Sequence, residues 1–313
     1  MIHRLIGGIA AVLLLLTSCG EAAPSPQQPA ASSAPAAFPV TIEAANGAIT
    51  IDHRPERIVS ISPTATEMLF AIGAGDQVEA VDDQSNFPAE APITDLSGFE
   101  PNVEAIASYE PDLVVYATEP GDLGSALEGL GIPALWQDAA ATLDDVYEQL
   151  NQLGTATGND SVAESLTGRM RDDVAGIVSS VESPSPPLTF YHELDDTYYS
   201  VTSSTFIGQL YALTGLRNIA DEAKGAGGGY PQLSAEYIIQ ADPDLIFLAD
   251  TKCCEQSPRT VAKRPGWDRI AAVENGGVIP LDDDVASRWG PRVVDYLRRI
   301  AEAVADIQGA QAA

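Results

Sequence analysis

A chain of 313 residues with 45 acidic and 16 basic side chains carries a formal net charge of −29. That surface excludes nucleic acid as a partner, because a phosphate backbone is held by a basic face. Excess acid keeps an exported protein soluble and can steer it toward a basic surface, and a salt-adapted proteome produces the same bias.

Met1-Ile-His-Arg4 is a short basic start, followed by an apolar run from Leu5 to Leu16. A spanning helix needs roughly 17–25 residues, so the run reads as the core of a signal peptide over residues 1–18. It ends in Leu16-Thr-Ser-Cys19-Gly20, which resembles the bacterial lipobox. The resemblance implies lipidation at Cys19, on the extracytoplasmic face of the cell membrane, with the chain anchored rather than spanning. Residues 19–39 are mostly Ala, Pro, Ser and Gln, which cannot bury enough apolar surface to fold and read as a tether.

The folded part is expected as an α/β lobe over 40–159, a linking helix over 160–183, a second α/β lobe over 184–308 and a tail at 309–313. Ile58 to Ser62 reads as a strand, followed by a helix from Pro63 that stops at Gly73. Val78–Val81, Leu113–Tyr116 and Ala134–Trp136 read as further strands, with a helical stretch from Leu123 to Leu130. Val162, Leu166, Met170, Val174, Ile177 and Val181 recur at three- and four-residue spacing, the pattern of one long amphipathic helix, and Ser183-Pro-Ser-Pro-Pro187 stops it. The second lobe opens with strand Leu188–Tyr191 and helix Phe206–Thr214. Strands Leu245–Leu248 and Val278–Leu281 and a closing helix Val293–Val304 complete it. Alternating strands and helices predict parallel sheets. One long helix between two lobes favours a small rocking over a wide hinge.

One segment occurs twice. Val103-Glu-Ala-Ile-Ala-Ser-Tyr-Glu-Pro-Asp-Leu-Val-Val-Tyr-Ala117 returns as Ala235-Glu-Tyr-Ile-Ile-Gln-Ala-Asp-Pro-Asp-Leu-Ile-Phe-Leu-Ala249, with six of fifteen positions identical at an offset of 132. The offset is the size of a small domain, so the two lobes share a design and each carries a matched glutamate, Glu104 and Glu236. Paired carboxylates at matched places suit a two-fold partner; each is also an acid at a helix start, which the helix dipole favours by itself.

The stretch Arg57-Ile-Val-Ser-Ile-Ser-Pro-Thr-Ala-Thr-Glu67, then Val81-Asp-Asp-Gln-Ser-Asn-Phe-Pro88, resembles the vitamin B12- and ferric-siderophore-binding proteins of bacterial ABC importers. Glu110-Pro-Asp-Leu113, Tyr230-Pro-Gln-Leu-Ser-Ala-Glu236 and Ser287-Arg-Trp-Gly-Pro-Arg292 extend the resemblance in order from about residue 56 to 305. It implies two α/β lobes on a rigid helical backbone, a helical-backbone periplasmic binding protein. It also implies a permease dimer with its ATPase as partner, docked by arginines onto Glu104 and Glu236. A monomer without intrinsic cofactor is expected, its ligand a metal chelate: ferric siderophore, cobalamin or haem.

In open α/β sheets ligands bind beyond the carboxyl ends of the strands. Those segments hold Asp83, Phe87, Phe99, Trp136, Tyr191, His192, Tyr198, Tyr230, Lys252, Arg288 and Trp289. The aromatics suit a bulky flat chelate, while Arg288 and Lys252 suit acidic oxygens. Tyr191 or His192 could serve as an axial haem ligand, but one histidine without partners at ligand spacing makes a poor metal site, and none is expected. The same loops are rich in Asp and Glu, which favours a neutral or cationic chelate over an anionic one. Cys253 and Cys254 are adjacent. A disulfide between neighbours closes a strained ring, whereas two free thiols are unusual outside the cytoplasm. No Gly-x-Ser-x-Gly elbow, Walker loop or His-Glu-x-x-His run is present, so binding without catalysis is expected. A sensor module that kept the fold and lost transport is the remaining alternative.

Overall fold

The computed structural model describes residues 38–119, 121–182 and 185–312. It opens with an antiparallel hairpin, β1 (Val40–Ala44) and β2 (Gly47–Ile51). The first lobe follows as β3 (Ile58–Ile61), α1 (Pro63–Ala71), β4 (Val78–Val81), α2 (Val103–Ala107), β5 (Leu113–Tyr116), α3 (Leu123–Gly129) and β6 (Ala134–Trp136). Two antiparallel helices, α4 (Leu143–Thr157) and α5 (Asp160–Ser180), lead out of it. The second lobe runs β7 (Thr189–Glu193), α6 (Phe206–Ala212), β8 (Arg217–Asn218), α7 (Ala235–Ala241), β9 (Leu245–Leu248), α8 (Pro258–Val261), α9 (Ala271–Glu274), β10 (Val278–Pro280), α10 (Asp283–Ser287) and α11 (Val293–Ala312). None of the described helices is long and apolar enough to cross a membrane.

The duplication seen in sequence is a duplication of topology. The first sheet has order β4-β3-β5-β6 and the second β8-β7-β9-β10, all strands parallel. In lobe-local numbering both read 2-1-3-4. The repeat itself builds the same turn twice: Glu110 (φ 49°) and Asp242 (φ 47°) occupy the left-handed region just before the two prolines. The next acid then ties each repeat to the first strand of its sheet. Asp112 accepts from the Glu56 and Arg57 amides, and Asp244 from the Thr189 amide and hydroxyl.

The inner strands β3, β5, β7 and β9 are almost wholly buried on both faces, while the edge strands β4, β8 and β10 each leave one residue exposed, Glu79, Arg217 and Pro280. Ile58, Leu113, Val114 and Val115, and Leu245, Ile246, Phe247 and Leu248, are completely buried. One apolar core runs without interruption from Ile58, Leu69 and Val115 through Leu150, Leu153 and Met170 to Phe190, Phe247 and Ile300. The lobes therefore share a core through α4, α5 and α11. Separating them would expose that surface at roughly 25 cal/mol per Å² of apolar area, which restrains a wide hinge. Within α4–α5, Gly154 lies where an added Cβ would meet the Ala163 methyl at 2.6 Å, so the close approach of the two helices depends on glycine.

Candidate ligand cleft and docking surface

A sheet ordered 2-1-3-4 changes winding direction between its first and third strands, and ligands settle at the carboxyl ends there. Those ends are Ser62 and Ala117 in the first lobe, and Leu194 and Ala249 in the second. The contact between lobes is made beside them. Ser62 caps α1 by accepting from the Ala65 amide, with Pro63 at the first helical position, and this places Glu67 inside the seam with its side chain 1 % exposed. Glu67 Oε1 accepts from Arg288 Nη1 at 2.8 Å and from Arg292 Nη2, and Oε2 accepts from Arg292 Nε at 2.8 Å. Arg288 also donates to Asn86 Oδ1 (2.9 Å), the Gln84 carbonyl (3.0 Å) and Asp284 (3.0 Å). Arg292 covers the Phe87 ring at 4.3 Å. This latch joins α1 and the β4 loop to α10 and α11. Its acid, Glu67, and its second guanidinium, Arg292, are not among the expected site residues, although both stand inside the motifs that carry the family resemblance.

The latch changes the reading of the two basic residues expected to meet ligand oxygens. Arg288 is spent on four partners. Lys252 Nζ donates to Asp282 and Asp284, 2.7 Å each. Burial works against the charge on Asp284, but the bonds from Lys252 and Arg288 outweigh it and hold the carboxyl below its usual range. Trp289 is half-buried against the shared core and donates from Nε1 to Gln149 at 2.9 Å. The basic groups that reach the seam are thus neutralised by the protein's own acids.

The aromatic candidates divide. Phe87, Phe99 (77 % exposed) and Tyr230 stand open on loops at the strand ends, with Asp83 exposed nearby and accepting from the Gly98 amide. Trp136 stacks on Tyr116 with centroids 6.2 Å apart and donates to the Ala117 carbonyl. Tyr198, at a positive φ of 71°, stacks on Trp267 at 5.7 Å; its neighbour Tyr199 is the exposed one. Tyr191 and His192 correct the expectation of an axial ligand, since both are fully enclosed. His192 Nδ1 pairs with the Tyr211 hydroxyl at 2.8 Å, which in turn meets Tyr296 at 2.8 Å, and burial pushes the imidazole down to about 3. Cys253 and Cys254 are joined as a disulfide in the loop after β9. No group of three or more metal-ligating side chains occurs among the described residues.

Glu104 and Glu236 take equivalent places. Each is exposed in the first turn of a short helix, α2 capped by Asn102 and α7 capped by Ser234. Short turns return α2 to the start of β5 and α7 to the start of β9. The two helices thus enter equivalent strands, the third of each sheet, through equivalent short turns.

Comparison with known proteins places this geometry. The family model described as periplasmic binding protein matches residues 58–285. A Bacillus subtilis (strain 168) protein named as an ABC transporter substrate-binding lipoprotein is 31 % identical over 312 residues, covering 95 % of this chain and 96 % of that one. A cobalamin-binding protein of Halobacterium salinarum is 32 % identical over 311 residues, covering 94 % and 82 %. Among solved structures, the periplasmic vitamin B12 binding protein of Vibrio cholerae superposes with TM-score 0.66 at 24 % identity, covering 82 % of this chain and 98 % of that one. A periplasmic heme-binding protein from Roseiflexus sp. RS-1 superposes with TM-score 0.72 at 23 % identity, covering 81 % and 99 %. At these identities the structures establish the fold.

Proposed function

Because the chain belongs to the periplasmic binding protein family, we propose that it is the extracytoplasmic solute-binding subunit of an ABC importer, with cobalamin as cargo. It binds without catalysing, and presents the loaded cleft to a permease dimer through Glu104 and Glu236. Cys19 lies outside the described residues; in this reading it carries the lipid that keeps the protein at the outer face of the membrane.

The observation that carries the choice of cargo is the state of the seam. An anionic ferric siderophore calls for free cations, and Lys252, Arg288 and Arg292 are already paired with acids. Cobalamin is a large, flat chelate edged with neutral amides, which hydrogen-bond to acidic loops without needing a counter-charge. Phe87 and Phe99 on one lobe, and Tyr199 and Tyr230 on the other, offer apolar faces for it. The cobalamin-binding relative, similar over nearly the whole chain, supports the same choice. Haem by axial ligation fits less well, because Tyr191 and His192 are enclosed.

Calorimetric titration of the tether-free protein with cobalamin, haem, and anionic, neutral and cationic ferric siderophores tests this reading. Submicromolar binding of cobalamin with much weaker binding of the rest is expected. Preferential binding of an anionic siderophore would overturn it.

A further inference from the structure

Below the carboxyl ends of β7 and β9 lies a buried group of charges that no part of the import reading uses. Glu193, the last residue of β7, is fully buried, and its two carboxylate oxygens accept from Arg264 Nη1 and Nη2, both at 2.6 Å. The Arg264 guanidinium lies 4.5 Å over the Trp267 ring and 5.4 Å from that of Tyr198. Asp250, two residues beyond β9, is also fully buried; neither carboxyl oxygen accepts from a donor among the described residues, and the group its carboxyl meets is the carboxylate of Glu193. Tyr191 of β7 faces the same group through a buried hydroxyl that also lacks a partner. The other nearby charges point elsewhere: Lys252 to Asp282 and Asp284, and Asp283 to the amides of Thr251, Lys252 and Cys253.

Two carboxyl groups and one guanidinium leave one negative charge with no buried counter-charge. A buried carboxylate in that position neutralises rather than remain ionised. Glu193 keeps the charge because Arg264 holds both its oxygens, so Asp250 is the group that takes a proton. Burial, and then the charge on Glu193, push its carboxyl up to about 8.

The same residue organises the loop that carries the disulfide. The Asp250 carbonyl accepts from the Cys254 and Gln256 amides at 3.3 and 3.2 Å, and the Gln256 side chain accepts from Arg264 at 2.8 Å. An ionised Asp250 would compete with Gln256 for Arg264 and pull on both ends of this closure. We propose that a single proton held between Asp250 and Glu193 keeps the loop of residues 251–257 closed at the mouth of the second lobe, and that its loss releases the loop. A role for that release in letting cargo go rests on the proposed function; the proton and the loop do not.

The sign follows from linkage. A carboxyl whose folded pKa is raised binds its proton more tightly in the folded state, so its stabilisation is lost as pH rises toward that folded pKa. Urea unfolding of the wild type and of Asp250→Asn, which keeps the group neutral, is compared from about pH 5 to 9.5. The wild-type folding constant should fall about tenfold per pH unit relative to the variant, as one linked proton requires, and level off above about pH 8. Hydrogen exchange at residues 251–257, corrected for intrinsic rates, should quicken across that range in the wild type and not in the variant. A ratio of folding constants that stays flat with pH would overturn the proposal. So would a ratio that follows sodium or potassium concentration instead, since a metal cation would then hold the site. If the variant does not fold, infrared spectra of the wild type decide: a protonated-carboxyl stretch present near pH 6.5 and gone near pH 9.5 is expected, and its absence at the lower pH would refute the shared proton. None of these readouts uses cargo, so they stand or fall separately from the cobalamin titration.

Discussion

Replacing Glu67 by Gln removes the one acid that both latch guanidiniums share. Its side chain is 1 % exposed, and those of Arg288 and Arg292 are 9 % and 19 % exposed, so little water can take its place. Breaking a buried ion pair by neutralising one partner costs roughly 3–5 kcal/mol, because the other charge stays buried without compensation. Here Arg288 keeps Asp284 and Asn86, and Arg292 keeps the face of Phe87, so the lower end applies, about 3 kcal/mol. For a protein of this size that is a fall in Tm of roughly 6–12 °C. Thermal and urea unfolding at neutral pH measure it, with Asp295→Asn as control. Asp295 pairs with Arg298 on an open helix surface, where such pairs contribute about 0–1 kcal/mol. A Glu67→Gln cost no larger than that of the control would refute the latch as a structural element and leave the shared core alone to hold the lobes together.

Other outcomes follow from the same structure. Glu104→Arg combined with Glu236→Arg should abolish uptake while leaving cargo affinity unchanged and lowering Tm by only a few degrees, since both side chains are exposed, make no described ion pair and lose only the favour of the helix dipole; uptake at the wild-type rate would remove the docking assignment. His192, neutral in the fold down to about pH 3, takes up a proton near pH 6.5 once unfolded, so its contribution is present above pH 6.5 and is lost on acidification. Two pH units below 6.5 that amounts to about 3 kcal/mol, and His192→Gln should flatten this part of the pH–stability curve; an unchanged curve contradicts the burial argument. With a net charge of −29, Tm should rise as sodium chloride goes from low concentration to about 1 M, where screening is nearly complete; a falling Tm would show that self-repulsion is not a main cost of this surface.

The elements legible in sequence are those whose pattern is local. The α5 helix shows as a three- and four-residue apolar spacing ended by prolines, and β5, β6 and β9 as short β-branched or aromatic runs. The duplicated segment goes further, since its two prolines and two acids build the same turn in both lobes. The α4 helix is absent from the expectations even though its signals are local: Leu143, Val146, Leu150 and Leu153 at helical spacing, and a capping box between Thr142 and Asp145. The site is another matter. Glu67 and Arg292 stand 225 positions apart, and nothing short of the folded topology brings them together. Arg288 and Lys252 read as free cations because sequence shows a charge but not its partner. Tyr198 stacks inward on Trp267 while Tyr199 is exposed, and two adjacent tyrosines do not announce in sequence which one faces out.

In the proposed function a chelate sits between the exposed aromatics of the two lobes. Equilibrium titration of cobalamin against the wild type and the Phe99→Ala, Tyr199→Ala double variant tests it most directly. Phe99 is 77 % exposed and Tyr199 40 % exposed, so removing both should leave Tm unchanged. A Kd weakened about tenfold or more is expected, the loss of roughly 1.4 kcal/mol or more that follows when two ring contacts are removed. An unchanged Kd with the fold intact would contradict it and place the cargo elsewhere.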